Sequence, residues 1–152
     1  VADEFYDSIA ANGNRVEKLD GDVMRGVFPA TGFSKEERDA HIKRVGFVAS
    51  LLEKHEVIVV ASFISPYRAA RRLVRDMCSN FVEVFVSASL DECERRDVKG
   101  LYKRARAGEI TNLTGIGSPY EEPENAEIVV DTESQQLEES LAQVMEYIKQ
   151  YM

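Results

Sequence analysis

The sequence predicts an α/β fold built on a parallel β-sheet. Four short runs are rich in β-branched and aromatic residues, and segments with the helical spacing of apolar residues separate them. The predicted strands cover residues 15–20, 57–62, 81–87 and 127–131. Strands that alternate with helices in this way usually pair in parallel, because each helix returns the chain to the start of the next strand. The 152 residues, 44% of them hydrophobic, suffice for one globular domain with its own core.

The predicted helices carry start and stop signals. Residues 1–12 form an amphipathic pattern that Gly13 ends, and Ser34 with Glu37 makes a capping box at the start of a long helix. Pro66 predicts the start of the next helix, since proline is tolerated in a first turn. The remaining helices are expected over residues 90–96, 101–107 and 134–151.

The chain is acidic overall, but its basic residues are clustered. A formal net charge of −8 argues against a nucleic-acid binder, whose phosphate contacts need a concentrated basic surface. The basic residues gather in residues 68–75 and 95–106, which suits a local pocket for an anion. Cys78 and Cys93 match neither a metal site nor a secreted disulfide framework. Because no apolar stretch approaches the ~20 residues that span a bilayer, we expect a cytoplasmic protein without nucleic-acid or membrane partners.

Polar residues follow two of the predicted strands. Asp20-Gly-Asp22 follows the first strand, and the segment from Ser62 to Arg68, SFISPYR, completes the second. The carboxyl ends of parallel strands are where such sheets place their ligands. The two carboxylates can orient a magnesium-bound water or accept a hydroxyl proton, although an ordinary turn is the alternative. Ser65 precedes Pro66 at the predicted helix N-terminus, where free N–H groups favour an anion.

Arginine and aromatic residues near these segments indicate how an anion and a base could be held. Arg25, Arg38 and Arg44 follow the first polar segment, and guanidinium groups match phosphate and sulfate oxygens. For Arg44, a solvated helix face is the preferred interpretation. Phe33 and Tyr67 are either core residues or stacking platforms, and the composition does not choose between these roles.

The basic run over residues 95–106 has the features of a lid. It places cations on short helices, with Gly100 and Gly108 as candidate hinges, and lids over nucleotides supply cations to the transferred phosphoryl group. A solvated basic helix is the equal alternative. Residues 111–125, rich in Gly, Pro and Asn, are expected to form an irregular functional loop. Two histidines, isolated from other candidate ligands, are interpreted as helix-surface residues: His41 and His55.

Spaced motifs along almost the whole chain resemble adenylylsulfate kinase. In chain order they are LDGD (19–22), GFS (32–34), Arg38, IKR (42–44), SFISPYR (62–68), FVEVFV (81–86), KGLYK (99–103), ARAGEI (105–110), TGI (114–116) and SPY (118–120). The resemblance implies a P-loop kinase fold, a parallel sheet with helices on both faces. It also implies that ATP, with Mg²⁺, phosphorylates the 3′-hydroxyl of adenosine 5′-phosphosulfate (APS) in sulfate assimilation. The product is 3′-phosphoadenosine 5′-phosphosulfate (PAPS).

The resemblance also implies roles for individual residues. It places Asp22 beside the accepting hydroxyl and the magnesium ion, Arg25 and Arg38 on the phosphosulfate, and Phe33 on the substrate adenine. Ser65 matches a serine that the family is described as phosphorylating, but direct in-line transfer is physically simpler, so we assign it a site role without a covalent step. The other residues implied for the substrate are Asp20, His41, Ile64, Lys99, Asn112 and Leu113. Those implied for ATP are Arg96, Lys103 and Arg104.

The chain departs from the family pattern at several positions. Val23 and His41 stand where the family usually has asparagine, and Leu113 replaces a second adenine-stacking phenylalanine. The segment from Arg25 to Phe33 is shorter than the family spacing. No Gly-x-x-x-x-Gly-Lys-Ser/Thr motif occurs, although its N–H groups and lysine cradle the phosphates of ATP. We therefore expect the first strand and the P-loop to lie upstream of Val1, and this chain alone to be inactive.

Two alternative functions remain open at the level of sequence. A sister kinase for another nucleotide, of the cytidine diphosphoramidate type, is suggested by Val23 and Leu113. A non-catalytic domain that binds or senses nucleotide sulfates is suggested by the missing P-loop motif. As partners, a homodimer and fusion or association with a sulfurylase are further expectations.

Overall fold

The computed structural model describes residues 1–29 and 32–151. Within these residues α-helices alternate with short parallel strands, which confirms the predicted α/β class. The chain divides into two compact units, residues 1–81 and 82–152, and each unit contains a pair of parallel strands. No described helix is both long enough and apolar enough to cross a membrane.

The first unit alternates helices with two strands. Its elements are α1 (Ala2–Ala11), β1 (Val16–Asp20), α2 (Gly21–Val27), α3 (Lys35–Glu53), β2 (Ile58–Ser62) and α4 (Arg68–Met77). β1 and β2 pair in parallel, from Val16 opposite Ile58 to Asp20 opposite Ser62. The carboxyl ends of the two strands therefore lie side by side, so the polar segments that follow them start from the same edge.

The helix α3 is the scaffold of this unit. Its N-terminus is the predicted capping box, in which Ser34 Oγ accepts the N–H of Glu37 at 3.2 Å and the Glu37 carboxylate accepts the N–H of Ser34 at 3.0 Å. On its buried face, Val45 packs against Leu19 of β1. Ile42, one turn earlier, packs against Tyr67 and against α4. This helix thus fixes α4 and the sheet edge relative to one another.

The second unit has the same alternation. Its elements are β3 (Val84–Ser87), α5 (Leu90–Arg96), α6 (Leu101–Arg106), β4 (Ile128–Asp131) and α7 (Leu137–Ile148), followed by a 3₁₀ turn, Lys149–Tyr151. β3 and β4 pair in parallel, from Val84 opposite Ile128 to Ser87 opposite Asp131. α7 packs on β4, and Val130 and Val144 are buried between them.

Three element predictions were wrong. A helix, α2, occupies residues 21–27, where the sequence indicated only a turn and a loop. The helix forms with the Asp20 side chain as its N-cap. It was not predicted because its two glycines weaken the helical pattern. α4 begins at Arg68 rather than at Pro66, since Tyr67 keeps an extended backbone. The C-terminal α-helix covers residues 137–148 rather than 134–151.

Candidate active site

Two polar segments meet at the carboxyl edge of β1 and β2. Asp20 lies opposite Ser62 in the strand register. A Cβ atom placed on Gly21 would lie 3.3 Å from Cδ1 of Phe63 and 3.4 Å from the carbonyl oxygen of Ser62. The glycine therefore permits the close approach that brings Asp20-Gly-Asp22 and SFISPYR together at one site, as predicted for a parallel sheet.

The two carboxylates of this site have different environments. Asp20 is the N-cap of α2, and its Oδ1 accepts the N–H groups of Asp22 at 2.9 Å and Val23 at 3.1 Å. The ordinary-turn interpretation is thus wrong, since Asp22 lies in the first turn of a helix. Asp22 is exposed. Its negative charge acts to raise the pKa of Arg25, against the lowering by burial and by Arg38. Substrate or metal contacts by Asp20 and Asp22 stay predictions, and of the two Asp22 is the more exposed.

The described residues fit a magnesium ion only if a nucleotide shares it. Magnesium usually keeps several waters and binds through one or two carboxylates together with substrate phosphates. Among the residues that the structure describes, no group of three or more His, Cys, Asp or Glu side chains could hold a metal. The exposed Asp22 carboxylate is the single protein ligand that this pattern needs.

The segment after β2 is strained at Ser65. Its φ of +39° lies in the left-handed region, which costs a residue with a side chain about 1–3 kcal/mol. Arg71 of α4 holds this conformation, because its Nη1 donates to the Ser65 carbonyl oxygen at 2.6 Å. The prediction that Ser65 lies at a helix N-terminus is wrong, since α4 begins three residues later, at Arg68. The neighbouring Ile64 is 62% exposed and open to a ligand.

Arg25 of α2 and Arg38 of α3 both contact Phe33, which lies just before α3. The Cζ atoms of Arg25 and Arg38 lie 4.6 and 5.7 Å from the Phe33 ring centroid. Arg25 Nη1 donates to the Gly32 carbonyl at 3.0 Å, and Arg38 Nε donates to the Phe33 carbonyl at 2.9 Å. Phe33 is nonetheless 58% exposed, so the ring is fixed and still available for stacking. Tyr67, by contrast, is a core residue at 6% exposure.

The positive charges of Arg25 and Arg38 interact with one another, which suits the binding of an anion. Arg38 is only 6% exposed. Burial, followed by the positive charge of Arg38, lowers the pKa of Arg25. Two cations held this close repel one another, and an anion bound between them relieves that repulsion.

Arg44 has a structural role that the sequence did not indicate. Its Nη1 donates to the Pro29 carbonyl at 3.1 Å, and its Cζ lies 5.9 Å from the Phe28 ring centroid. The solvated-face interpretation is therefore wrong, because Arg44 ties the segment after α2 to α3. The spacing of three residues from His41 is the signal that could have shown a shared helix face. The shortened segment from Arg25 to Phe33 includes residues 30 and 31, which lie outside the described residues.

His41 is buried rather than on the helix surface. Its side chain is 1% exposed, and its ring lies 6.2 Å from Phe28 and 5.8 Å from Phe63, centroid to centroid. Burial, then the charges of Arg25 and Arg44, lower its pKa. Neither ring nitrogen has a hydrogen-bond partner among the described residues. His55, near the C-terminal end of α3, is exposed as predicted.

The basic run in the second unit is largely paired with its own acidic residues. The pairs are Arg95 and Arg96 with Glu92, Arg104 with Glu109, and Arg106 with Glu94. Hydrogen bonds from Arg95 and Arg96 lower the pKa of Glu92 to about 2. This pairing favours the alternative of a solvated basic helix over a lid whose cations bind phosphate. The ATP contacts of Arg96, Lys103 and Arg104 stay predictions.

The junction of α5 and α6 forms an open cavity of about 310 Å³, which Arg96 and Lys99 help to line. Arg96 is fixed there, because its Nη2 donates to the Thr132 carbonyl at 2.6 Å. The Asp97 carboxylate accepts the N–H of Lys103 at 3.0 Å and so caps α6, which lowers the Asp97 pKa. Val98 is 93% exposed at this junction. A fixed guanidinium plane beside a cavity is a suitable platform for a nucleotide base.

The loop over residues 111–125 is irregular, as predicted, but has a tight internal turn. The Leu113 carbonyl accepts the N–H groups of Gly117 at 2.9 Å and Ser118 at 3.1 Å. A Cβ atom on Gly117 would lie 1.9 Å from the carbonyl oxygen of Thr111, so only glycine fits there. Leu113 is half-buried and Asn112 is exposed.

Comparison with known proteins identifies the family. The family model for adenylylsulphate kinase matches residues 1–131. The chain belongs to the adenylylsulfate kinase family. It is 53% identical over 145 residues to the adenylyl-sulfate kinase of Microcystis aeruginosa, covering 95% of this chain and 80% of that one. The Picosynechococcus enzyme of the same name is 52% identical over 146 residues, at 95% and 82% coverage.

Two solved structures, one of them an APS kinase, have the same fold. The Mycobacterium tuberculosis APS kinase CysC, in complex with AMPPNP and APS, matches with a TM-score of 0.93 at 36% identity. That match covers 97% of this chain and 88% of the other. The structure titled APE1195 matches with a TM-score of 0.90 at 45% identity, covering 98% and 86%. The predicted resemblance and P-loop kinase fold are therefore confirmed.

Proposed function

We propose that this protein transfers the γ-phosphate of ATP to the 3′-hydroxyl of APS and releases PAPS. The observation that carries the proposal is the arginine cluster around an exposed Phe33, in which Arg25 also interacts with Asp22. The arginines suit an anion, Phe33 suits an aromatic base, and the Asp22 carboxylate suits the hydroxyl that receives the phosphoryl group. The M. tuberculosis relative, whose structure contains AMPPNP and APS, supports the same pair of nucleotides for this chain.

In this proposal, Arg25 and Arg38 bind the phosphosulfate and Phe33 stacks on the adenine. Guanidinium groups bind phosphate and sulfate oxygens through charge-assisted hydrogen bonds of about 1.5–3 kcal/mol each. Both arginines already anchor the Phe33 backbone segment, so little side-chain entropy is lost when substrate binds. Ile64, exposed beside Ser65, supplies an apolar contact.

Asp22 is proposed to receive the proton of the 3′-hydroxyl and to hold magnesium together with the nucleotide phosphates. Magnesium, when bound, neutralises charge on the phosphates of ATP. The carboxylate is exposed at the strand edge, where a hydroxyl of the substrate can reach it. The strained Ser65 lies on the adjoining segment, and we propose a positioning role for it in a direct in-line transfer.

The second unit is proposed to contact both nucleotides. Arg96 is suited to stack on the base of ATP, since its guanidinium is fixed beside the open cavity. Lys103 and Arg104 would bind ATP phosphates. The residues proposed to contact APS from this unit are Lys99, Asn112 and Leu113. For Arg104 this requires exchanging the Glu109 carboxylate, 3.0 Å away, for a phosphate.

We further propose a cytoplasmic protein that acts as a homodimer or larger oligomer. Both cysteines are free thiols, which suits a reducing compartment. Phe47 and Leu51, one turn apart on α3, are 58% and 42% exposed and could pack against a second copy. A related APS kinase, from Thiobacillus denitrificans, is described as hexameric; the match covers 26% of that chain at a TM-score of 0.72 and 29% identity. Because APS must come from a reaction that joins sulfate to adenylate, a sulfurylase is the proposed functional partner.

Equilibrium competition tests the substrate assignment. The protein is titrated with APS, AMP and a cytidine diphosphoramidate, and each is then tested for displacement of the others. We expect APS to bind most tightly, since it alone has both an adenine and a phosphosulfate. Preference for the cytidine compound would favour the alternative function, a sister kinase for that nucleotide, which Val23 and Leu113 suggested. Binding of none of them by the folded protein would refute it.

A further inference from the structure

His41 is an unusual residue to find buried in this position. It lies on α3, under the Phe28 ring and against the Phe63 ring, with 1% of its surface exposed. A neutral imidazole has one N–H donor and one acceptor nitrogen, and neither has a partner among the described residues. An unpaired buried polar group costs about 1–3 kcal/mol. Such a group needs an explanation, and function is one.

The charges that face His41 are all positive. Arg25 faces it from α2 and Arg44 from its own helix. Phe28, after α2, and Phe63, after β2, pack against the ring and carry no charge. Arg38, one turn earlier on α3, interacts repulsively with Arg25. Two acids act on Arg25 in the opposite direction, first Asp22 and then Glu37.

This field opposes protonation of the free protein. Burial and the two arginines lower the pKa of His41, so the ring is neutral near neutral pH. Arg25 is also one of the two arginines proposed to bind the phosphosulfate. An anion bound to Arg25 cancels part of the positive charge that disfavours the imidazolium ion, because its charge is opposite in sign.

We propose that His41 takes up a proton from solvent when an anionic nucleotide binds to Arg25 and Arg38. The inference rests on the proposed function and adds a regulatory property to the same site. By linkage, proton uptake on binding means that the affinity for substrate rises as pH falls. Asparagine, which the resemblance to adenylylsulfate kinase implies at this position, would not titrate in this way.

The first test follows the histidine signals directly by NMR. The sequence contains two histidines, so two imidazole signals are expected. The exposed His55, two residues beyond the C-terminal end of α3, is an internal control. We expect saturation with APS to move the His41 titration to higher pH and to leave that of His55 unchanged. An unchanged His41 titration in the saturated protein would overturn the inference.

The second test counts protons by calorimetry. APS is titrated into the wild type and His41→Asn at about pH 6, near the ordinary pKa of histidine, in two buffers that differ in ionisation enthalpy. His55→Asn serves as the matched control. APS suits the experiment because neither acid group of its phosphosulfate titrates near neutral pH. We expect the wild type and His55→Asn to take up a fraction of a proton, and His41→Asn to take up measurably less.

The affinity gives a third readout from the same data. Between about pH 8 and about pH 5.5, we expect APS binding to tighten roughly threefold or more in the wild type relative to His41→Asn. Equal proton uptake and equal pH dependence in both proteins would refute the inference and leave the proposed function intact. Failure of APS to bind the folded wild type would refute the proposed function, and the inference with it. If His41→Asn does not fold, the NMR titration of the wild type decides.

Discussion

At the residue scale, Arg38 fixes the backbone at Phe33 and, in the proposed function, also binds the substrate anion. Its Nε holds the Phe33 carbonyl, while the rest of its buried guanidinium lies near both the Phe33 ring and Arg25. The bond to the carbonyl fixes the orientation of the guanidinium group. A lysine would carry the same charge without this geometry.

Arg38→Lys should therefore weaken APS binding even though it keeps the charge. We expect a rise in Kd or KM of about tenfold to a hundredfold, because one or two charge-assisted hydrogen bonds are lost. Arg72→Lys, at an exposed position on α4, is the matched control and should leave affinity unchanged. Titration calorimetry with APS measures both. Equal affinity of Arg38→Lys and wild type would remove Arg38 from the substrate site.

Asp22→Asn should abolish turnover without unfolding the protein. The amide cannot accept the hydroxyl proton, so kcat should fall by about 10²–10⁴-fold. Asp91→Asn is the matched control, since Asp91 also lies in the first turn of a short helix, α5. Both variants should unfold within about 1 kcal/mol of wild type, the size of a helix-dipole term. A large loss of stability specific to Asp22→Asn, with kcat retained, would make this residue structural.

The sequence indicated which residues could form a site but misjudged several of their environments. Arg25 and Arg38 do lie against Phe33, and Asp22 interacts with Arg25, while their roles stay predictions. The burial of His41 was missed, because burial depends on Phe28 and Phe63, which approach it from other segments. The left-handed backbone of Ser65 was missed for a similar reason, since Arg71 stabilises it from the following helix.

At the element scale, the long helix α3 was predictable from its cap, and the short helix α2 was not. The α3 capping box was visible as Ser34 and Glu37 in the sequence. α2 was hidden, because it is seven residues long and contains two glycines. Its cap, Asp20, was interpreted as a catalytic or turn residue. A side chain that satisfies backbone donors is not distinguishable by sequence alone from one that contacts a ligand.

The contact between α3 and α4 depends on Gly46. A Cβ atom there would lie 2.8 Å from Cγ2 of Val74 and 3.3 Å from Sδ of Met77. Gly46→Ala should therefore lower the free energy of unfolding by about 1–3 kcal/mol of overpacking, less about 1 kcal/mol gained in helix propensity. Adding Val74→Ala should make the Gly46→Ala step less costly. Urea unfolding measures each variant.

Gly26→Ala is the control for this prediction. Gly26 lies in α2, and nothing lies within 4 Å of the added methyl group. We expect it to leave stability unchanged or to raise it by up to about 1 kcal/mol. If Gly46→Ala is as well tolerated as Gly26→Ala, close packing of the two helices does not require glycine.

At the scale of the whole molecule, an acidic chain concentrates positive charge around Phe33 and His41. The net charge is −8, yet the groups that face His41 and Phe33 are arginines. The sequence showed the clusters but could not show which arginines are committed. Arg95, Arg96, Arg104 and Arg106 are paired with glutamates, whereas Arg25 and Arg38 donate hydrogen bonds to backbone carbonyls next to Phe33.

The stability of the free protein should depend on pH through His41. Its folded pKa is lowered, so the unfolded chain binds the proton first as pH falls through the ordinary value of about 6.5. The free energy of unfolding should therefore fall from about pH 7 toward about pH 5. His41→Asn should lose less stability over this range. Thermal unfolding at several pH values measures the difference, and parallel curves for the two proteins would contradict it.

The most direct test of the central claim is ATP-dependent formation of PAPS from APS by the natural full-length protein. We predict that PAPS forms with APS as acceptor, that AMP is a poor acceptor, and that Asp22→Asn forms almost none. A folded protein that binds ATP but forms no PAPS, or that phosphorylates a different nucleotide in preference, would contradict the claim.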